Sequence, residues 1–206
     1  MGPFTVTGVI MDESETGCWT NHHSLVEYKG QWILFYHDKD LSPNFDKDRS
    51  VRADYLSFNP DGTIQKVIPT LRGVGVADAA HQLQIDRYSA ISKEGAAVSF
   101  IDDKKTREGW KVSLTNKAAW VQYNRVDFSK PGLKSINVRT LSTTGGTLEI
   151  RLDKADGPIL AQVDIAKGTD WSNIKGALAN APTGQHDLIV TLRDAGDVQV
   201  DWVSFE

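Results

Sequence analysis

The stretch that decides the fold is Asp197-Val198-Gln199-Val200-Asp201-Trp202-Val203-Ser204-Phe205-Glu206. Val198, Val200 and Trp202 alternate with Gln199 and Asp201, which is the period-2 pattern of a strand. Val203 and Phe205 then place apolar groups on the other parity. A strand that is apolar on both faces at one end is covered on both sides and belongs at the centre of its sheet. The stretch therefore reads as the closing strand of a β-sandwich.

Working back from it, strands are predicted over 83–88, 97–101, 119–127, 134–141, 147–152, 159–165, 187–193 and 198–205. Turn residues separate them: Thr144-Gly145-Gly146, Ala155-Asp156-Gly157-Pro158, Pro182-Thr183-Gly184-Gln185 and Ala195-Gly196-Asp197. The nearest approach to a helical period is 173–180, and it is short. Eight short strands at this spacing predict an all-β sandwich or jelly roll over residues 83–206. Residues 69–82, small and lightly apolar, read as a linker. Before them, Leu25 to Tyr28, the turn Lys29-Gly30 and Trp32 to His37 form a hairpin. Strands over 51–58 and 63–68 follow, separated by Asn59-Pro60-Asp61-Gly62. Residues 1–76 thus predict a single antiparallel meander about the size of one propeller blade.

The 206 residues, 40% hydrophobic and 24% charged, suit one or two globular domains. A net charge of -4 without a basic tract gives no footprint for nucleic acid. No apolar run approaches the roughly 20 residues that span a bilayer, and the first residues lack the pattern of a signal peptide. The single cysteine, Cys18, excludes an intramolecular disulfide and a multi-cysteine metal site. Six tryptophans in a β-rich chain suit flat apolar ligands, sugars among them. Trp120 and Trp202 fall inside strand patterns and read as core. Trp110 lies among Arg107, Glu108 and Lys111, and Trp171 between Asp170 and Ser172, so both read as loop residues.

Residues 83–206 resemble a family 6 carbohydrate-binding module, a jelly-roll sandwich. The resemblance rests on Leu83-Gln84-Ile85-Asp86-Arg87-Tyr88-Ser89-Ala90, Ala119-Trp120-Val121-Gln122-Tyr123, the run from Gly145 to Asp153, and Val200-Asp201-Trp202-Val203-Ser204-Phe205, in that order. It implies a sugar held between two aromatic rings, which match Trp110 and Trp171 here. It also implies an amide on the last strand, where the family has Asn and this chain has Gln199. The longer side chain keeps the donor and acceptor. Many members hold a structural calcium through acidic residues on the first and last strands. The matching positions are Gln84, Asp86 and Asp201, one carboxylate having become an amide, and fewer charges weaken such a site.

Residues 2–76 resemble the final blade of a family 43 glycoside hydrolase, a five-bladed propeller. Thr20-Asn21-His22-His23-Ser24, the strand Trp32 to Tyr36 with His37-Asp38, and Arg49-Ser50-Val51 carry that likeness. It implies a metal-site histidine, matched by His22 with His23 second, and a pocket arginine, matched by Arg49. Adjacent strand histidines point to opposite faces, so only one of them faces a given site. Both also read as ordinary turn histidines.

Inverting hydrolysis needs two carboxyl groups about 6.5–9.5 Å apart. Asp12, Glu13, Glu15, Asp38 and Asp40 read as loop carboxylates without the family's catalytic motifs, so this chain alone is expected to be inactive. The expectation is a carbohydrate-binding piece that targets a xylan- or arabinoxylan-degrading hydrolase to its polysaccharide. Its partners would be an oligo- or polysaccharide, the remainder of the propeller and, through the orphan blade, a second copy of the chain. The parent enzyme would act outside the cytoplasm, extracellular or periplasmic. Two alternatives stand beside this: an arabinofuranosidase or xylosidase piece that lends a metal-site histidine to a complete propeller, and a sandwich that binds other proteins.

Overall fold

The computed structural model describes residues 2–13, 22–39 and 49–206. The chain divides into two units, Met1–Val74 and Gly75–Glu206. In the first, β1 (Ser24–Tyr28), β2 (Gln31–Asp38) and β3 (Ser50–Leu56) form an antiparallel sheet in that order. Lys29 and Gly30, which join β1 to β2, both take positive φ, as a two-residue hairpin loop requires. One face carries Leu34, Tyr36 and Leu56, buried with Val67 against Ile10, Met11, Trp32 and Ile64. On the other face Val26, Phe35, Val51 and Tyr55 are exposed.

The fourth strand expected over 63–68 is not formed. Ile64 bridges Phe58 and Val67 bridges Met11, each as an isolated pair. A buried carboxylate ties down the chain that follows. Asp54 accepts hydrogen bonds from the Tyr36 hydroxyl at 2.6 Å, the Thr70 hydroxyl at 2.6 Å and the Thr70 N–H at 3.0 Å. Burial and then the bond to Asp54 push the Tyr36 phenol far above its ordinary pKa. Thr70 belongs to the first unit and Ala77–Asp78 to a sheet of the second, so the 69–82 stretch read as linker is divided between them. Asp38, read as a loop carboxylate, ends β2 and is buried. Its Oδ2 accepts Arg52 Nε at 2.8 Å.

The second unit contains β4 (Ala77–Asp78), β5 (Leu83–Gln84), β6 (Ala90–Ile91), β7 (Ala96–Phe100), β8 (Trp110–Leu114), β9 (Trp120–Asp127), β10 (Ser135–Ser142), β11 (Gly146–Leu152), β12 (Ile159–Ile165), β13 (Ser172–Ala177), β14 (Gln185–Leu192) and β15 (Val198–Phe205). One sheet runs β13-β10-β15-β8-β7, with β5 also on β15. The other runs β12-β11-β14-β9-β4, with β6 also on β9. Their inner faces meet in one core, to which Val112, Leu114, Ile136 and Val138 contribute from the first sheet. Val121, Leu148, Ile150, Leu188, Val190 and Leu192 come from the second.

The closing strand is central, between β10 and β8, but it is not covered on both sides. Trp202 pairs with Arg139 and Val200 with Thr140, so Asp201 is the extra residue of a β-bulge. The bulge changes the parity and keeps Val198, Val200, Val203 and Phe205 all on the buried side. Gln199 and Trp202 face outward, half-buried. Trp120, on β9, also faces outward beside inward Val121 and Tyr123, so neither of these two tryptophans belongs to the core cluster. Four strands went unread in the sequence: the two-residue β4 and β6, β8, whose charged flanks mimic a loop, and β13, which overlaps the stretch nearest to a helical period.

Candidate functional site

Strand register gathers part of the expected site. Ser172 opens β13 opposite Thr140, which sets Trp171 beside Leu141. Leu141 pairs with Gln199, and Gln199 with Ser113. Gln199 shares the outer face of this sheet with Leu141, Ser113 and Arg139, because alternate residues along a strand share a face. The Trp171 ring is half-buried, with its centroid 5.0 Å from Arg139 Cζ. Cation and ring face support one another at that separation. Trp171 and Gln199 thus stand about two strand spacings apart, roughly 10 Å.

Trp110 does not join them. It opens β8 rather than lying in a loop, and it has the parity of the buried Val112 and Leu114. Its ring stacks on Phe100 at 3.8 Å between centroids. Trp110 thus stands at the end of β8 on the parity opposite to that of Ser113, which pairs with Gln199.

The residues read as calcium ligands make a poor set of hard oxygens. Gln84 is exposed and neutral, and Asp86 is buried with Arg87 Nε 3.3 Å from its carboxylate. Asp201 is 5% exposed and is ion-paired to Arg139 Nη1. Burial raises the Asp201 pKa, while the Arg139 hydrogen bond and charge pull it back down. Among the described residues no three His, Cys, Asp or Glu side chains form a metal cluster. Calcium, with its need for six to eight oxygens, does not fit this arrangement.

The outer face of the second sheet has a polar character the sequence did not disclose. Thr191 pairs with Glu149 on one side and Trp120 on the other, and Ile189 with Arg151 and Gln122. Glu149 is buried and accepts Arg151 Nε at 3.0 Å and Gln162 Nε2 at 3.2 Å. Thr191 Oγ1 is buried without a hydrogen-bond partner.

In the first unit the two residues expected to line a hydrolase pocket, His22 and Arg49, meet at a third. His37 Nε2 accepts the His22 N–H at 3.1 Å, and Arg49 Nη1 lies 3.4 Å from His37 Nδ1. The His22 and His37 rings meet edge to face at 5.5 Å. Desolvation, then the Arg49 charge, then His22 lower the His37 pKa. His37 was legible only as a strand residue. His23 is exposed. Of the carboxylates, Asp12 is exposed and paired to Lys66, whereas Glu15 and Asp40 lie outside the described residues.

Two sheets stacked as a jelly roll, with tryptophan, amide and charged side chains on their outer faces, define a β-sandwich with polar and aromatic surfaces. The profile of the carbohydrate binding module (family 6) matches residues 90–206, more than half of the chain, and the chain belongs to that family. The chain is 26% identical over 213 residues to an arabinoxylan arabinofuranohydrolase of Bacillus subtilis (strain 168), covering 95% of this chain and 40% of that protein. A xylosidase/arabinosidase 43A of Humicola insolens is 48% identical over 63 residues, 31% of this chain and 19% of that one. The chain therefore spans less than half the length of these curated relatives.

Among solved structures, a glycoside hydrolase family 43 arabinoxylan arabinofuranohydrolase from Bacillus subtilis aligns over 100% of this chain and 45% of its own. Its TM-score is 0.63 and its identity 24%, a likeness of fold. A family 6 module from Clostridium cellulolyticum in complex with xylose (TM-score 0.56, 26% identity) covers 63% of this chain and 98% of its own. A β-1,3-glucan binding module of the same family from Bacillus halodurans (TM-score 0.56, 27% identity) covers 64% and 99%. These comparisons lend no support to a homodimer. Among the described residues no helix is long and apolar enough to cross a membrane.

Proposed function

We propose that the second unit binds a plant polysaccharide of the xylan or arabinoxylan type and targets a glycoside hydrolase to it. The observation that carries this reading is the half-buried Trp171 ring with Gln199 on the same side of the sheet. A pyranose presents apolar C–H groups to an aromatic face, while its hydroxyls need polar partners at the ring edge. Trp171 offers the first and Gln199 the second. The relatives that act on arabinoxylan and the module solved with xylose support the choice of sugar. The glucan-binding module shows that family membership alone leaves the sugar open.

A second location has its own support. Trp120, Glu149 and the unpartnered Thr191 hydroxyl lie together on the other outer face, and a buried hydroxyl without a partner is a cost that a sugar hydroxyl or water would relieve.

The first unit is read as the last blade of a family 43 hydrolase propeller. Its His22–His37–Arg49 group would line the pocket of that enzyme, which would act outside the cytoplasm. Its exposed face of Val26, Phe35, Val51 and Tyr55 suits packing on the rest of such a propeller.

Titration calorimetry with xylo-, arabinoxylo-, cello- and β-1,3-gluco-oligosaccharides, on the wild type, Trp171→Ala and Trp120→Ala, tests the reading. Heats with the xylose-based series that vanish in Trp171→Ala support it. Heats that vanish only in Trp120→Ala move the site to the other face. An absence of heat with every series removes the sugar-binding reading.

A further inference from the structure

We infer that Arg139 is the built-in cation of the sandwich: its guanidinium serves the buried Asp201 carboxylate where a divalent metal would otherwise be called for, and it seats the Trp171 ring.

Three observations meet at this side chain. The β-bulge leaves Asp201 as the unpaired residue of β15, next to Arg139 in the ladder, and the carboxylate is 5% exposed. A carboxylate this buried needs a compensating positive charge. The charge present is Arg139, whose Nη1 is ion-paired to Asp201 Oδ2. Arg139 also lies under the Trp171 ring, and its own cross-strand neighbours are Trp202 and Asn173. An aromatic ring on one side and a carboxylate on the other hold a planar guanidinium better than they would hold an ammonium.

The other candidate ligands are occupied or weak. Asp86 is ion-paired to Arg87, and Gln84 supplies only an amide oxygen. A calcium ion beside Asp201 would have to displace Arg139 or sit against its like charge. Arg139 would thus do the charge compensation and also position the surface proposed for sugar.

The test uses the full chain and needs no sugar for its main arm. Bound metal is measured by elemental analysis, and thermal melting is recorded in EDTA and in excess calcium. The expected result is less than one equivalent-tenth of calcium and melting temperatures within about 1 °C of each other. About one equivalent of calcium, or a fall of several degrees in EDTA that calcium reverses, overturns the inference. Arg139→Met is expected to melt about 5–10 °C lower, because it strands a buried carboxylate. Arg139→Met/Asp201→Asn should recover part of that loss. Should Arg139→Met not fold, the recovery in the double variant carries the same comparison. Wild-type melting in Arg139→Met, or no recovery in the double variant, contradicts the pairing. The seating of Trp171 rests on the same contact and is read from its indole N–H resonance in Arg139→Lys. It should move, and an unchanged resonance overturns the seating. Failure of the sugar reading would leave the metal and melting results untouched.

Discussion

Trp171 and Trp110 look alike in the sequence and do different things in the fold. Trp171→Ala is expected to weaken oligosaccharide binding at least about tenfold, roughly 1.4 kcal/mol, as calorimetry would read. Trp110→Ala should leave affinity unchanged and cost about 2 kcal/mol of stability in urea unfolding, because it removes the stack on Phe100. Trp110 was misread because Arg107, Glu108 and Lys111 around it resemble a loop, while its partner Phe100 stands across a strand pair that local sequence does not reveal. The outward placement of Gln199 was legible because it alternates with buried valines. Arg139 was not, because nothing in the run from Ser135 to Ser142 announces a bulge partner five strands later in the sequence. His37 offers a second residue-scale prediction. Its folded-state pKa is lowered, so the unfolded chain takes up the proton first as the pH falls. The stability it contributes is full above the ordinary histidine pKa and is lost as the pH drops from there towards the lowered value. Proton NMR of the His37 ring should show the lowered midpoint, and Arg49→Ala should move it back upward. An unmoved midpoint would remove Arg49 from the cause.

At the scale of elements, the best-read parts are those bounded by turn residues. β11, β12 and β14 fall close to their expected positions because Gly145-Gly146, Ala155 to Pro158 and Pro182 to Gln185 allow the chain little else. Gly157 shows how tight such a turn is. A Cβ there would lie 2.0 Å from the Leu152 carbonyl oxygen, so Gly157→Ala should cost about 3 kcal/mol or more in urea unfolding. A loss under about 0.5 kcal/mol would mean the turn yields. The edge strand β13 was poorly legible because an edge needs no strict alternation. Of its residues only Gly176 is buried, packed where a Cβ would come within 2.8 Å of Val163. The closing strand was recognised, yet its doubled apolar parity came from a bulge and not from cover on both faces. A one-residue insertion and a two-sided burial write the same pattern in sequence.

At the scale of the whole molecule, the all-β class, the sandwich and the family were legible because order and spacing survive where single residues vary. The pairing of rings was not, since which residues face each other is set by register across the sheet. The first unit's limits have a like cause. Its strands were visible, but its fourth strand reduces to bridges, and which of its faces is left exposed is set by register across the sheet, not by local pattern. The account rests on the outer face of the β13-β10-β15-β8-β7 sheet as the sugar surface. The most direct test is a two-dimensional nitrogen–proton spectrum of the full chain during titration with xylohexaose, following the assigned indole N–H signals of the six tryptophans. The account predicts that the Trp171 signal moves progressively to saturation together with the Gln199 side-chain amide, while Trp110 stays in place. Saturable binding that moves other indoles and leaves Trp171 and Gln199 unshifted would contradict it.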